Sequence, residues 1–360
     1  MKARLIAYYL PQFHPIAEND AQWGKGFTEW TNVAKAKPLF KGNYHPFLPT
    51  ELGYYDLRLP EVRKAQADLA REHGIEGFCY WHYWFGNGKR LLEMPFDEVV
   101  KTGEPDFPFC LCWANHSWTA TWTGNTKRMI QEQTYPGLTD FEAHFYSLLS
   151  AFKDKRYITI NDKLLYLIFA PTMFNCKAFT DAWQQLAIKE GLPGFHFVAM
   201  GVDETNFKDH GLSGFTPLSP HPIIARLPIK FKDKITYRLF GRSFSGLKAF
   251  ITKQPIVYQY EDFVDRTIIQ NYDTHEYPIA LPNWDHSPRS ANRGFVLQGS
   301  TPKLFRKIVK HCIGAVKNRD FEERIIFLKA WNEWAEGNFL EPEAKFGRGY
   351  LEVVKEENTI

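Results

Sequence analysis

Ile325-Ile326-Phe327-Leu328-Lys329-Ala330-Trp331-Asn332-Glu333-Trp334-Ala335-Glu336 decides how the chain is read. Its first four residues are apolar on both alternating faces, the pattern of a strand buried on each side, which parallel sheets covered by helices require. Just past that run, two carboxylates stand three residues apart among tryptophans. A buried strand that ends in titratable groups belongs to a fold that gathers its chemistry at the C-terminal ends of parallel strands.

The apolar run as a whole spans Ile325–Trp334, and similar short runs precede it: Leu5–Leu10, Gly77–Trp84, Phe107–Trp113, Leu164–Ala170, Phe195–Met200, Phe215–Leu218 and Ile279–Trp284. Between them, Pro60–His73, Thr139–Lys153, Phe179–Glu190, Glu261–Tyr272 and Pro302–Lys317 carry apolar residues at helical spacing, and proline opens two of these helices. Strands alternating with helices imply parallel βαβ units, either closed into a barrel or open and doubly wound. An open nucleotide-binding sheet carries a glycine fingerprint after its first strand, but here that place reads Leu10-Pro11-Gln12-Phe13-His14-Pro15. Gly86-Asn87-Gly88-Lys89 is the nearest approach to a phosphate loop and lacks its remaining residues. A count near eight, a length of 360 residues and chemistry at strand ends favour an α/β fold of the (β/α)8 TIM-barrel type. The expectation is one domain over residues 1–354 with loop insertions, including a basic one at about 220–250, and a frayed tail over 355–360.

Composition narrows the partners. Hydrophobic residues make up 44% of the chain, enough for a large core, and a net charge of +3 argues against a nucleic-acid binder. Aromatic residues reach 16%, and large rings with polar edges suit the faces of sugars. Cys79, Cys110, Cys112, Cys176 and Cys312 are odd in number and lack zinc-ligand spacing, as expected of reduced thiols in a cytoplasmic protein with no metal. Leu5–Leu10 is too short and too tyrosine-rich for a signal peptide, and no segment reads as a membrane span. In the insertion, Arg226, Lys230, Lys232, Lys234, Arg238, Arg242 and Lys248 are interleaved with Ile, Leu and Phe. That pattern reads either as a solvated helical excursion or as peripheral contact with an anionic membrane.

Candidate site residues recur at successive strand ends. Glu333 and Glu336 form a carboxylate pair suited to acid–base work at a glycosidic centre, and Trp331, Asn332 and Trp334 surround them. Apolar surroundings raise a carboxyl's pKa and keep it protonated near neutrality. Tyr9, Gln12 and His14 end the first strand, and Glu29 and Trp30 lie in a glycine-rich aromatic loop that follows. Tyr80, His82 and Trp84 alternate with Trp81 and Tyr83, so one set faces the barrel interior and the other the helix layer; the first set is taken as the candidate. Trp113, Asn115 and Trp118, followed by Trp122, end another strand, and Asn283 and Trp284 a later one. A wall of rings, amides and carboxylates around one mouth is what a glycan site needs.

Tyr8-Tyr-Leu-Pro-Gln-Phe-His-Pro, Gly26-Phe-Thr-Glu-Trp, Phe78-Cys-Tyr-Trp-His-Tyr-Trp-Phe, Trp113-Ala-Asn and Ala330-Trp-Asn-Glu-Trp-Ala-Glu-Gly together resemble the glycosyltransferase WbsX family of bacterial surface-polysaccharide loci. That family is similar to the endo-α-mannosidases of glycoside hydrolase family 99. The resemblance runs from about Leu5 to Tyr350. It implies a (β/α)8 barrel, a manno-configured or related sugar and retention of anomeric configuration through a 1,2-anhydro-sugar intermediate. It implies further that Glu333 deprotonates the sugar's own 2-hydroxyl and Glu336 is the acid and base at the glycosidic oxygen, with Tyr9, Glu29, His82, Trp113 and Asn115 lining subsites. The sequence shows no Asp-x-Asp motif and no nucleotide fingerprint. A retaining transferase acting on a glycan or lipid-linked saccharide, with a sugar nucleotide as substrate and no cofactor, therefore stands beside a mannosidase-like hydrolase and a non-catalytic glycan-binding barrel.

Overall fold

The computed structural model describes residues 2–120, 125–227, 236, 238, 239 and 244–359. Trp122 and, in the basic insertion, Lys230, Lys232, Lys234 and Arg242 lie outside the described residues.

Eight parallel strands form the barrel: β1 (Arg4–Tyr9), β2 (Gly77–Trp84), β3 (Phe109–Trp113), β4 (Lys163–Ile168), β5 (Phe195–Met200), β6 (Gly214–Thr216), β7 (Ile279–Ala280) and β8 (Ile325–Leu328). Their hydrogen-bonded order is β6-β5-β4-β3-β2-β1-β8-β7. The ring closes between β6 and the segment leading into β7, where Phe215 N donates to His275 O (3.0 Å) and Tyr277 N donates to Phe215 O (2.8 Å). Helices cover the outside: α1 (Pro60–Glu72), α2 (Met94–Thr102), α3 (Leu138–Ser147), α4 (Cys176–Lys189), α5 (Tyr260–Thr267), α6 (Pro302–Val316) and α7 (Gly349–Asn358). The chain is thus a (β/α)8 barrel. Proline sits in the first turn of α1 and α6, where a missing N–H costs nothing, and the Thr301 hydroxyl caps α6 by accepting from Leu304 N. Among the described residues no helix is long and apolar enough to cross a membrane.

Two strands stop short of their apolar runs. The seventh strand ends after Ala280, ahead of Pro282, which has no N–H to give a ladder. Trp284–Asp285 instead joins a separate small sheet with Ile256–Gln259 and Phe295–Gln298. The eighth ends at Leu328, and Asn332–Glu333 turns back to pair antiparallel with Asn338–Phe339. The tail is helical through Asn358 rather than frayed. The Asn358 carboxamide accepts from Lys2 N (3.1 Å) and Ala3 N (2.9 Å) and donates to Ala3 O (3.0 Å), so it satisfies the entry to β1.

Below the barrel mouth lies a buried polar network. Glu341 accepts from Trp334 Nε1 (2.5 Å), Gln66 Nε2 (2.7 Å) and Tyr55 Oη (2.8 Å). Asn332 locks the end of β1 to the loop after β8, accepting from Leu10 N (2.7 Å) and donating to Leu10 O (3.0 Å). Replacing Glu341 with Leu would leave three buried donors without an acceptor, each costing about 1–3 kcal/mol. Urea denaturation of Glu341→Leu is expected to show a loss of about 3 kcal/mol or more, with Glu341→Gln intermediate because one oxygen remains. A loss under about 1 kcal/mol for the Leu variant would show that the network does not bear on stability.

Candidate active site

Register decides which side chains reach the cavity. In the parallel pair of β1 and β2, Tyr8 aligns with Cys79 and Tyr9 with Tyr80. Aligned residues share a face, and faces alternate along a strand. Tyr8, Cys79, Trp81 and Tyr83 therefore point inward, and Tyr8 stacks on Trp81 with centroids 5.1 Å apart. Tyr9, Tyr80, His82 and Trp84 point into the helix layer, opposite to the expected set. There Tyr9 Oη donates to Gln66 Oε1 (2.7 Å), and the Tyr80 ring packs 4.5 Å from that of Tyr9. His82 Nε2 meets His144 Nε2 at 2.8 Å, and Trp84 Nε1 donates to Asp140 Oδ2 (3.0 Å). Trp113 aligns with His82, faces the same way and donates to Trp84 O (2.9 Å).

The inward side chains open into a cavity of about 550 Å³ at the C-terminal ends of the strands. Of the residues singled out in the sequence, Gln12, Trp118, Trp284, Glu333 and Glu336 line it. The others serve nearby or elsewhere. Glu29 is fully buried behind the wall. His14 is buried with its Nδ1 unpartnered among the described residues. Trp30 Nε1 donates to Tyr55 O (2.8 Å), and Asn115 clasps Ala170, donating to its O and accepting from its N. Asn283 lines a second cavity of only about 70 Å³. Trp331 is buried against Phe78, Asn332 holds Leu10, and Trp334 holds Glu341 while stacked 3.8 Å from Phe339. Sequence reasoning passed over Trp81, Tyr83, His286, Arg289 and Lys329, which all line the cavity. Trp81 and Tyr83 were the alternative phase of one strand. Arg289 follows the Pro282 break, and no periodic pattern pointed to it.

Arg289 organises the charges. Its Nε donates to Glu29 (3.1 Å to Oε2), its Nη1 to Glu336 Oε1 (2.5 Å) and its Nη2 to Glu333 Oε2 (3.2 Å). Trp81 Nε1 donates to the other oxygen of Glu333 (3.0 Å). Burial pushes the Glu333 carboxyl up to about 7, with the neighbouring charge of Glu336 adding to the effect and Arg289 opposing it. Burial works against the Glu336 charge too, but Arg289, His286, Lys329 and His221 outweigh it and hold that carboxyl below its ordinary value. Glu29 is raised by burial, again against Arg289. Near neutrality, then, the free pair shares one proton, carried mainly by Glu333. His286 Nε2 stands 3.7 Å from Glu336 Oε1. Its other nitrogen lies 2.8 Å from Ser290 Oγ, whose proton goes to His286 O (3.0 Å).

A family model described as Glycosyltransferase WbsX matches residues 5–354. The protein named WxcX of Xanthomonas campestris pv. campestris strain B100 is 34% identical over 372 residues, an alignment that takes in 100% of this chain and 50% of the relative. WxcX of strain ATCC 33913 matches at the same identity and coverage. The chain spans about half the length of the curated relatives it matches. A solved structure titled glycoside hydrolase-like protein superposes with a TM-score of 0.57 at 14% identity, covering 99% of this chain and 94% of its own. The GH99 endo-alpha-mannosidase from Bacteroides thetaiotaomicron superposes with a TM-score of 0.54 at 13% identity, covering 98% and 96%. At these identities the likeness is one of fold.

The two faces of β2 separate by substitution. Trp81→Phe removes a donor to a charged group and is expected to lower kcat/KM on the order of tenfold. Trp84→Phe is expected to lower the melting temperature with KM unchanged. Steady-state kinetics and thermal unfolding of both variants check this, and the reverse pattern would invert the assignment of faces.

Proposed function

The chain belongs to the Glycosyltransferase WbsX family, and from that premise we propose that it is a retaining glycosyltransferase of bacterial surface-polysaccharide (O-antigen or capsule) biosynthesis. It acts on a manno-configured or related sugar, takes a sugar nucleotide as donor and a glycan or lipid-linked saccharide as acceptor, and needs no cofactor of its own. The observation that carries the reading is the pair Glu333 and Glu336, held by one guanidinium at a cavity of sugar size and sharing one proton. In this reading Glu333 takes the proton of the sugar's 2-hydroxyl as that oxygen closes on C1, and Glu336 gives its proton to the departing oxygen. The acceptor hydroxyl then opens the 1,2-anhydro-sugar while Glu336 takes its proton and Glu333 returns the other, and two inversions retain the configuration.

The resting pair holds its proton on the opposite member, and the substrate can move it. A 2-hydroxyl donating to Glu333 favours that carboxyl's ionised form, and a leaving oxygen accepting from Glu336 favours its protonated form. Both oxygens of Glu333 already have donors in Trp81 and Arg289, which ready it to carry charge.

A hydrolase uses the same pair with water as acceptor, and the barrel's likeness to an endo-alpha-mannosidase favours testing it. Mass spectrometry after incubation with manno-oligosaccharides, with and without sugar nucleotides, separates the two. Mass gain that requires the donor is expected, whereas shortened glycans without donor would replace transferase by hydrolase. Peripheral membrane contact through the basic segment is part of the proposal. Lys248 lies on the helix Phe244–Thr252, where Phe250 and Ile251 are exposed. Cosedimentation with anionic vesicles at low salt is expected, and its absence would remove the contact.

Either Glu→Gln change is expected to lower turnover on the order of 100-fold. An activated aryl leaving group is expected to restore Glu336→Gln and not Glu333→Gln, because only the acid becomes dispensable. The pair keeps its single proton up to about 7. Because Glu333 is raised, kcat/KM is expected to hold below that pH and fall as pH rises through it, and Glu333→Gln is expected to abolish that limb. Full activity in both variants would overturn the assignment.

A further inference from the structure

The two cavity carboxylates face different walls. Glu333 is turned to the end of β2, where Trp81 Nε1 donates to it (3.0 Å) and Tyr83 follows two residues later on the same face. Glu336 is turned to the loops after β6 and β7. His286 Nε2 stands 3.7 Å from it there, and His221 acts on its charge from the same side.

The wall on the Glu333 side carries two carboxamides that the fold does not use. Asn19 lines the cavity, is only 1% exposed, and among the described residues its Nδ2 has no acceptor. It sits in the helix Ala17–Trp23, which the ion pair of Glu18 with Lys89 ties to the loop after β2. Gln12 is also buried and lines the cavity. Among the described residues its hydrogen bond is made by the backbone oxygen, which accepts from Glu29 N (3.0 Å) and leaves the carboxamide to the cavity. Beside them Tyr83 and Trp118 meet edge to face, 5.0 Å apart. A buried amide without a partner lowers stability, because nothing offsets its desolvation. In a ligand cavity that cost has a use. A site whose buried polar groups are completed by a substrate hydroxyl rejects the analogue that lacks it, far more strongly than an apolar pocket rejects a missing methylene.

We propose that Asn19 is a specificity-determining residue for the transferred sugar, holding a hydroxyl other than the 2-hydroxyl that meets Glu333. The inference rests on the carbohydrate reading above and gives the cavity a direction. The transferred sugar lies toward β1 and β2, and the leaving group and acceptor lie toward β6 and β7. A carboxamide offers one donor and one acceptor group, the complement of a hydroxyl. Asn19 therefore requires a sugar that is hydroxylated, not deoxygenated, at the position it reads, and Gln12 serves the same sugar from the β1 loop.

Calorimetric titration of the wild type and Asn19→Ala with methyl α-mannopyranoside and its 3-, 4- and 6-deoxy analogues tests it. In the wild type one analogue is expected to bind about tenfold or more weakly than the parent, the scale of a hydrogen bond lost to a buried group. In Asn19→Ala the parent is expected to show that same loss, and removing the same hydroxyl is expected to weaken binding no further. The melting temperature of Asn19→Ala is expected to equal or exceed that of the wild type, because the amide has no protein partner to lose. Unchanged affinity for the parent in Asn19→Ala would overturn the assignment and leave the carbohydrate reading standing. Losses that add in full would do the same, as would a lowered melting temperature with every ligand weakened alike, the mark of a structural asparagine. Failure of the wild type to bind any of the four glycosides would overturn the carbohydrate reading and the assignment with it.

Discussion

One guanidinium facing three carboxylates is the constraint on which the rest of this structure turns. Arg289 comes from the loop after β7, Glu333 and Glu336 from the loop after β8, and Glu29 from the loop after β1. Those three strands are neighbours in the barrel, in the order β1, β8, β7. The ion cluster therefore spans three adjacent strand ends and fixes their loops relative to one another. Carboxylates this deeply buried are tolerable only while the arginine stays among them, because removing one partner of a buried pair leaves an uncompensated charge. The same geometry that satisfies the arginine sets the two cavity carboxyls apart in acidity: Glu336 takes the shortest contact and Glu333 the longest.

The layer beneath makes that arrangement rigid. Asn332 ties the β8 loop to Leu10, while Glu341 ties it to Tyr55, Gln66 and Trp334. Trp30, next in sequence to Glu29, packs against Trp334 with centroids 5.3 Å apart. Glu29 and the Glu333–Glu336 loop thus rest on a shared aromatic and hydrogen-bonded floor, which positions the two cavity carboxyls from within the fold.

How much of this could be read in advance follows from burial. All eight barrel strands were legible, because a strand covered on both sides stands out as an unbroken apolar run. The same property hid the phase of β2. All of Gly77–Trp84 is buried, so alternation along it carries no mark of inside and outside, and only its register with β1 assigns Trp81 and Tyr83 to the cavity. Glu333 and Glu336 were legible because carboxylates just past a buried strand are costly without a purpose. Arg289 and Lys329 were not, since an arginine in a polar loop and a lysine after a strand look ordinary until their neighbours across the barrel are known. The ends of the seventh and eighth runs were overextended for a similar reason. Apolar composition continues past Ala280 and Leu328 into loops that are themselves buried, although the ladder has already stopped.

Trp81 belongs to two systems at once. Its ring is part of the barrel interior, stacked on Tyr8, which is stacked in turn on Phe327 of β8. Its Nε1 is a donor to Glu333. A close-packed interior transmits small displacements rather than absorbing them. A change of one methyl group at Tyr8 or Phe327 therefore reaches the proton affinity of a carboxyl that neither residue touches. Relatives with identical cavity walls can differ in the acidity of that carboxyl through their interiors, and natural divergence in this barrel has a route to retune the cavity without altering a residue that lines it.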